Sequence, residues 1–206
     1  MAGCAKVYVR TGLYYRMQSG DSLTSLARTY GVTVQELAEI NDIEDSKDLK
    51  PGDRVFIPTR ARKTKTVKPL AKGVAEEKIV FDRGRFAWPI HGRLTSRFGM
   101  RNGTRHDGID IASPHGTPIH AASAGQVVYS QRLRGYGHLI LVKHKDGFFT
   151  AYAHLSQYLV KKGKRVKKGQ VIGKVGATGR ATGPHLHFEV RKGRVARNPL
   201  FFLPKL

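Results

Sequence analysis

HLILVKHKDGFFTAYAH, residues 138–154, is two β-prone runs joined by Lys145-Asp146-Gly147. Asp-Gly supplies the positive φ angles that a tight hairpin turn needs, so the stretch predicts strand, turn, strand. The same grammar recurs on both sides. Gln126 to Ser130, Gln170 to Val175 and Leu186 to Arg191 are short β-branched or aromatic runs set between glycine turns. No apolar period of helical length follows Phe86, so residues 86–206 read as an all-β domain.

Upstream the pattern changes. Tyr14 to Met17 is a short β-prone run, and Asp21 or Ser22 can cap a helix whose apolar residues Leu23, Leu26, Ala27 and Tyr30 fall on one face. Gly31 stops that helix. Thr33 and Glu36 form a capping box for a second helix carrying Val34, Leu37 and Ala38, and Pro51-Gly52-Asp53 turns into a closing strand, Arg54 to Ile57. Residues 13–58 therefore predict a small α+β module, strand-helix-helix-strand, and residues 59–85, with a run of like charge and little periodicity, predict a basic linker to the all-β domain.

The net charge of +22 is unevenly spread: residues 13–58 hold 5 basic and 8 acidic groups, residues 59–85 hold 9 and 3, and residues 86–206 hold 21 and 4. Such a field attracts polyanions of any kind. Nothing resembles a nucleic-acid reading helix or an aromatic stacking platform, so no nucleic-acid partner is expected. No run approaches the apolar length of a membrane-spanning helix. Cys4 is the single cysteine, which excludes an internal disulfide and leaves no thiol for chemistry in the body of the chain.

All 9 histidines lie in residues 86–206, beside only four acids, Asp107, Asp110, Asp146 and Glu189. A carboxylate dyad is hard to assemble from so few acids, and no nucleophile elbow, phosphate loop or dinucleotide fingerprint is present. Imidazole chemistry remains. His106 and Asp110 are four apart, which in one extended strand puts both on the same face, and His185 and His187 likewise share a face while Leu186 and Phe188 point to the core. Two imidazoles and a carboxylate around zinc leave a fourth position open, as in catalytic sites, so His106, Asp110 and His187 are the expected metal ligands. His91, His115, His120, His138 and His144 read as structural.

Two resemblances extend this reading. Gln18-Ser19-Gly20-Asp21-Ser22-Leu23, Asn41 and Leu49 through Pro58 resemble a LysM module, which implies binding of N-acetylglucosamine-containing glycan beside Gly20, Asp21, Ser22, Leu23 and Thr24. Phe98-Gly99-Met100-Arg101, His106-x-Gly108-x-Asp110, Tyr152-Ala153-His154-Leu155 and Gly183-Pro184-His185-Leu186-His187-Phe188-Glu189 resemble the lysostaphin/LytM-type metallopeptidase family. That resemblance implies a Zn2+-dependent endopeptidase acting on the peptide stems and cross-links of bacterial peptidoglycan. His106, Asp110 and His187 fall on its zinc ligands, and His154 and His185 on its two catalytic histidines, which divide general-base and oxyanion or leaving-group work between them. Glu189 is not the expected base. The same pairing of modules also resembles division proteins that activate amidases without cutting, although such regulators usually lack part of the metal site.

Met1-Ala2-Gly3-Cys4 resembles the end of a lipoprotein signal. It implies a cell-envelope lipoprotein on the periplasmic face of a membrane, attached only through lipid on Cys4.

Overall fold

The computed structural model describes residues 7–9, 12–58, 77–101 and 103–205. Cys4 and most of the expected linker lie outside the described residues. Contacts divide the chain into two compact units, one drawn from residues up to Val80 with Gly99–Arg105, the other from Phe81–Phe98 with His106–Leu206.

In the first unit, strands β1 (Val7–Val9), β2 (Gly12–Arg16) and β3 (Arg54–Pro58) form an antiparallel sheet in the order β1-β2-β3. The expected pair of strands is thus joined by a third. Helices α1 (Leu23–Tyr30) and α2 (Val34–Asn41) begin where the sequence places them. Ser22 caps α1 and Thr33 caps α2 through a reciprocal box with Glu36, while Gly31 ends α1 in the left-handed region at φ 66°. Leu23, Leu26, Leu37 and Ala38 on the helices and Val55, Phe56 and Ile57 on the sheet are all buried. Asn41 ties helix to sheet: its Nδ2 donates to the carbonyls of Leu37 and Phe56, and its Oδ1 accepts from the Phe56 amide at 2.6 Å.

Strands β4 (Arg93–Ser96), β5 (Gly99–Arg101), β6 (Thr104–His106), β7 (Ile109–Ala112), β8 (Pro118–His120), β9 (Gly125–Leu133), β10 (Gly137–Lys143), β11 (Phe148–Tyr158), β12 (Arg165–Val166), β13 (Val171–Val175), β14 (His185–Lys192) and β15 (Val195–Arg197) follow. β5 and β6 pair with each other, and the remainder make one antiparallel sheet whose main path runs β12-β9-β10-β11-β14-β7-β4. The β10–β11 hairpin turns where expected, with Asp146 at φ 56° and Gly147 at φ 70°. Tyr152, Phe188, Ile109, Ile111 and Ile140 fill the core at essentially zero exposure.

The second unit begins at Phe81, ahead of the Phe86 boundary. Phe81 stacks on Phe201 at 4.5 Å, and the amides of Asp82 and Gly84 donate to the carbonyls of Phe201 and Phe202. An aromatic and two backbone donors thus fix a stretch whose composition alone reads as linker.

Candidate active site

Register assembles the site. β14 lies between β11 and β7, and His187 stands opposite Asp110 on one side and Ala153 on the other. Directly opposed residues share a face of the sheet, so His187 and Asp110 meet without any loop rearrangement. His106 joins them by a different route from the one expected. The chain breaks at Asp107-Gly108 between β6 and β7, so His106 and Asp110 do not occupy one continuous strand. Gly108 lies tight against β14: a Cβ there would come within 2.4 Å of the Phe188 carbonyl oxygen.

His106 Nε2, Asp110 Oδ1 and His187 Nδ1 form a triangle with sides of 3.1, 2.9 and 3.1 Å. Three ligand atoms about 2.0–2.1 Å from a tetrahedral zinc are separated by roughly 3.3 Å, so the donor set fits that ion in both chemistry and size. All three residues are buried, and they are the one group of this kind among the described residues. Each imidazole has its far nitrogen engaged. His106 Nδ1 donates to the Arg97 carbonyl at 2.8 Å, and His187 Nε2 faces Glu189 Oε1 at 3.1 Å. Burial opposes the charge on Asp110, but hydrogen bonds from His106 and His187 outweigh it and hold the carboxyl well below the usual range. Burial likewise opposes charging of His187. Its hydrogen bonds to Asp110 and Glu189 prevail and raise it to about 9.

His154 and His185 lie beside this cluster, their rings 4.8 Å apart, with His154 also 5.8 Å from His187. Alternation along β11 does not account for His154. Tyr152 opposes Phe188 on the core face and Ala153 opposes His187 on the site face, so His154 should return to the core. Instead its φ is 62° and the pairing of β11 with β10 is irregular between Tyr152 and Leu155, which turns the imidazole back toward the site. His154 Nδ1 donates to the Thr178 carbonyl at 2.7 Å and His185 Nδ1 to the Gly183 carbonyl at 2.9 Å, so in the neutral form of either ring Nε2 is the acceptor. Burial, only partly offset by the Thr178 carbonyl, lowers His154 from its ordinary value, so this ring is neutral near pH 7 and fit to accept a proton.

The other histidines lie elsewhere. His91 and His115 are exposed. His144 is buried between the Ala124 carbonyl and the Thr150 hydroxyl, at 2.8 and 2.7 Å. Glu189 has both oxygens occupied, by Tyr136 and His187 on one and Arg191 on the other, which leaves it no room to act as a base. Among the expected glycan contacts, Leu23 and Thr24 are wholly buried and belong to the core of the first unit. Gly20 is exposed and Asp21 and Ser22 are half-buried, but Asp21 accepts from Tyr15 and the Gln18 amide and Ser22 caps α1. The role of Tyr136 escapes sequence reading altogether. Its hydroxyl donates to Glu189 and its carbonyl accepts from the His154 amide, and no spacing in the sequence links these residues.

Residues 104–199 match the sequence profile of Peptidase family M23, and the chain is 35% identical to the uncharacterized lipoprotein YgeR of Escherichia coli K12 over 99% of its own length and 88% of that protein's. The chain belongs to peptidase family M23. Residues 15–58 match the LysM domain, so a LysM module precedes the peptidase fold. The murein hydrolase activator NlpD of Salmonella typhimurium is 38% identical over 75% of this chain, which spans 40% of that protein. Among solved structures, a zinc containing peptidase from Vibrio cholerae is 36% identical with a TM-score of 0.51, covering 58% of this chain and 39% of that one.

Proposed function

We propose that this protein is a zinc-dependent endopeptidase that hydrolyses peptide cross-links of bacterial peptidoglycan, held on the wall by LysM binding to N-acetylglucosamine glycan. The supporting observation is the complete donor triangle of His106, Asp110 and His187 beside His154 and His185, whose Nδ1 atoms donate to backbone carbonyls. A zinc ion bound there supplies Lewis-acid polarisation of the scissile carbonyl and a more acidic water. The chain's own residues do the rest. His154 and His185 take the proton from the attacking water and return one to the departing amine, each ring held in one tautomer by a backbone carbonyl. Envelope location through lipid on Cys4 belongs to the same reading.

The test is mass analysis of fragments released from purified sacculi. Release should stop with a chelator. His154→Ala and His185→Ala should keep zinc and lose turnover, whereas His106→Ala, Asp110→Ala and His187→Ala should lose the metal. Full activity in either of the first two variants would overturn the division of roles. A second reading, activation of an amidase with little cleavage by the chain itself, is favoured by the likeness to NlpD. It predicts no fragments from sacculi alone but faster release when an amidase is added.

A further inference from the structure

Glu189 is a buried carboxylate at 1% exposure, and no step proposed above uses it. Three donors converge on its two oxygens. Oε1 takes the Tyr136 hydroxyl at 2.7 Å and faces His187 Nε2 at 3.1 Å, while Oε2 takes Arg191 Nη1 at 2.6 Å. The donors are themselves anchored. Arg191 Nη2 donates to the Arg194 carbonyl at 2.8 Å, and Arg191 lies 3.9 Å from Asp107, the neighbour of His106. The Tyr136 ring packs edge-on against His187 at 5.9 Å. The two ligand imidazoles therefore differ: His106 is oriented by a neutral carbonyl and His187 by a carboxylate that is itself fully hydrogen-bonded.

We infer that Glu189, held by Tyr136 and Arg191, is a positioning residue that fixes His187 with Nε2 protonated and Nδ1 turned to the metal. The inference rests on the reading of His106, Asp110 and His187 as zinc ligands. A carboxylate accepting from the far nitrogen of a metal-bound imidazole sets the tautomer and raises the basicity of the ligating nitrogen. With Tyr136 and Arg191 on its oxygens, Glu189 cannot swing in and compete for the ion. Glutamine cannot replace it. With its amide nitrogen at Oε2, it sets a donor against Arg191. With its amide nitrogen at Oε1, it donates to His187 Nε2 and pushes the proton to Nδ1, where the metal must bind.

The experiment is chelator-competition measurement of zinc affinity on the full chain, with thermal unfolding of the metal-free proteins alongside. Glu189→Gln should weaken zinc binding about 10- to 100-fold. Tyr136→Phe, which removes one hydroxyl and keeps the ring, should weaken it by about threefold to tenfold. In nitrogen-15 spectra of the zinc-loaded protein, His187 should show a protonated Nε2 shielded from exchange, and that signal should shift or vanish in Glu189→Gln. A merely structural role would lower the unfolding temperature and leave affinity and spectrum unchanged. Should Glu189→Gln not fold, Tyr136→Phe decides the matter. Wild-type chain that binds no zinc would sink the proposed function and this inference together; wild-type zinc affinity in the folded variants would sink this inference alone.

Discussion

His154 combines a proposed catalytic imidazole with a backbone angle that L-residues avoid. At φ 62° a side chain other than glycine costs about 1–2 kcal/mol, and bonds to the Tyr136 and Thr178 carbonyls hold it there. His154→Gly should therefore be more stable than His154→Ala by about 1 kcal/mol in chemical denaturation, although glycine normally weakens a strand. Equal stabilities would mean the angle carries no strain. His144 offers a second measurement, in pH. Burial lowers its folded value, against the Ala124 carbonyl, so the unfolded chain takes the proton first as pH falls through about 6.5 and stability is lost in that window. His144→Gln should cost about 1–3 kcal/mol at pH 8 by leaving the buried Ala124 and Thr150 groups poorly paired. The gap to wild type should narrow toward pH 5.5, because only the wild type carries this linkage. A gap that does not change with pH would show that His144 does not titrate differently on folding.

Between β9 and β10, and again after β13, short segments reach across to position the site. A Cβ at Gly137, where φ is +67°, would lie 2.5 Å from the Thr178 carbonyl oxygen, the acceptor for His154 Nδ1. Gly137→Ala should displace that carbonyl while leaving the ligand triangle in place, so zinc content should stay near one and cleavage of a cross-linked peptide should fall by about a hundredfold. Unchanged turnover would show that the Thr178 contact does not orient the ring. This scale also separates what could be read in advance from what could not. The caps at Ser22 and Thr33 and the turn at Asp146-Gly147 depend on neighbours within three residues, and all three form as expected. The opposition of His187 to Asp110 spans 77 residues, and periodicity gives only the face each side chain leaves from, never the register. The left-handed angle at His154 has no local signature either, since alternation alone sends that ring to the core. Resemblance to a known family, carried by His154 and its neighbours, brought the residue into the site before geometry could.

Charge is a property of the whole chain. The LysM module carries eight acids to five bases, the peptidase domain four acids to twenty-one bases, and the total is +22. Six of those bases, Lys161, Lys162, Lys164, Arg165, Lys167 and Lys168, lie between β11 and β13, and all are exposed. A wall bearing carboxylates should thus be held in two ways, by neutral glycan recognition in one module and by diffuse electrostatic attraction to the other. Salt distinguishes the two, because exposed charges are screened over about 10 Å at 0.1 M and about 3 Å at 1 M. His185→Ala protein, which should bind sacculi without digesting them, should lose a large part of its retention as salt rises over that range. The remainder should be removed by soluble N-acetylglucosamine oligomers. Retention insensitive to salt would mean that the basic domain adds nothing to wall binding, and a salt-resistant fraction indifferent to those oligomers would remove glycan binding from the LysM module.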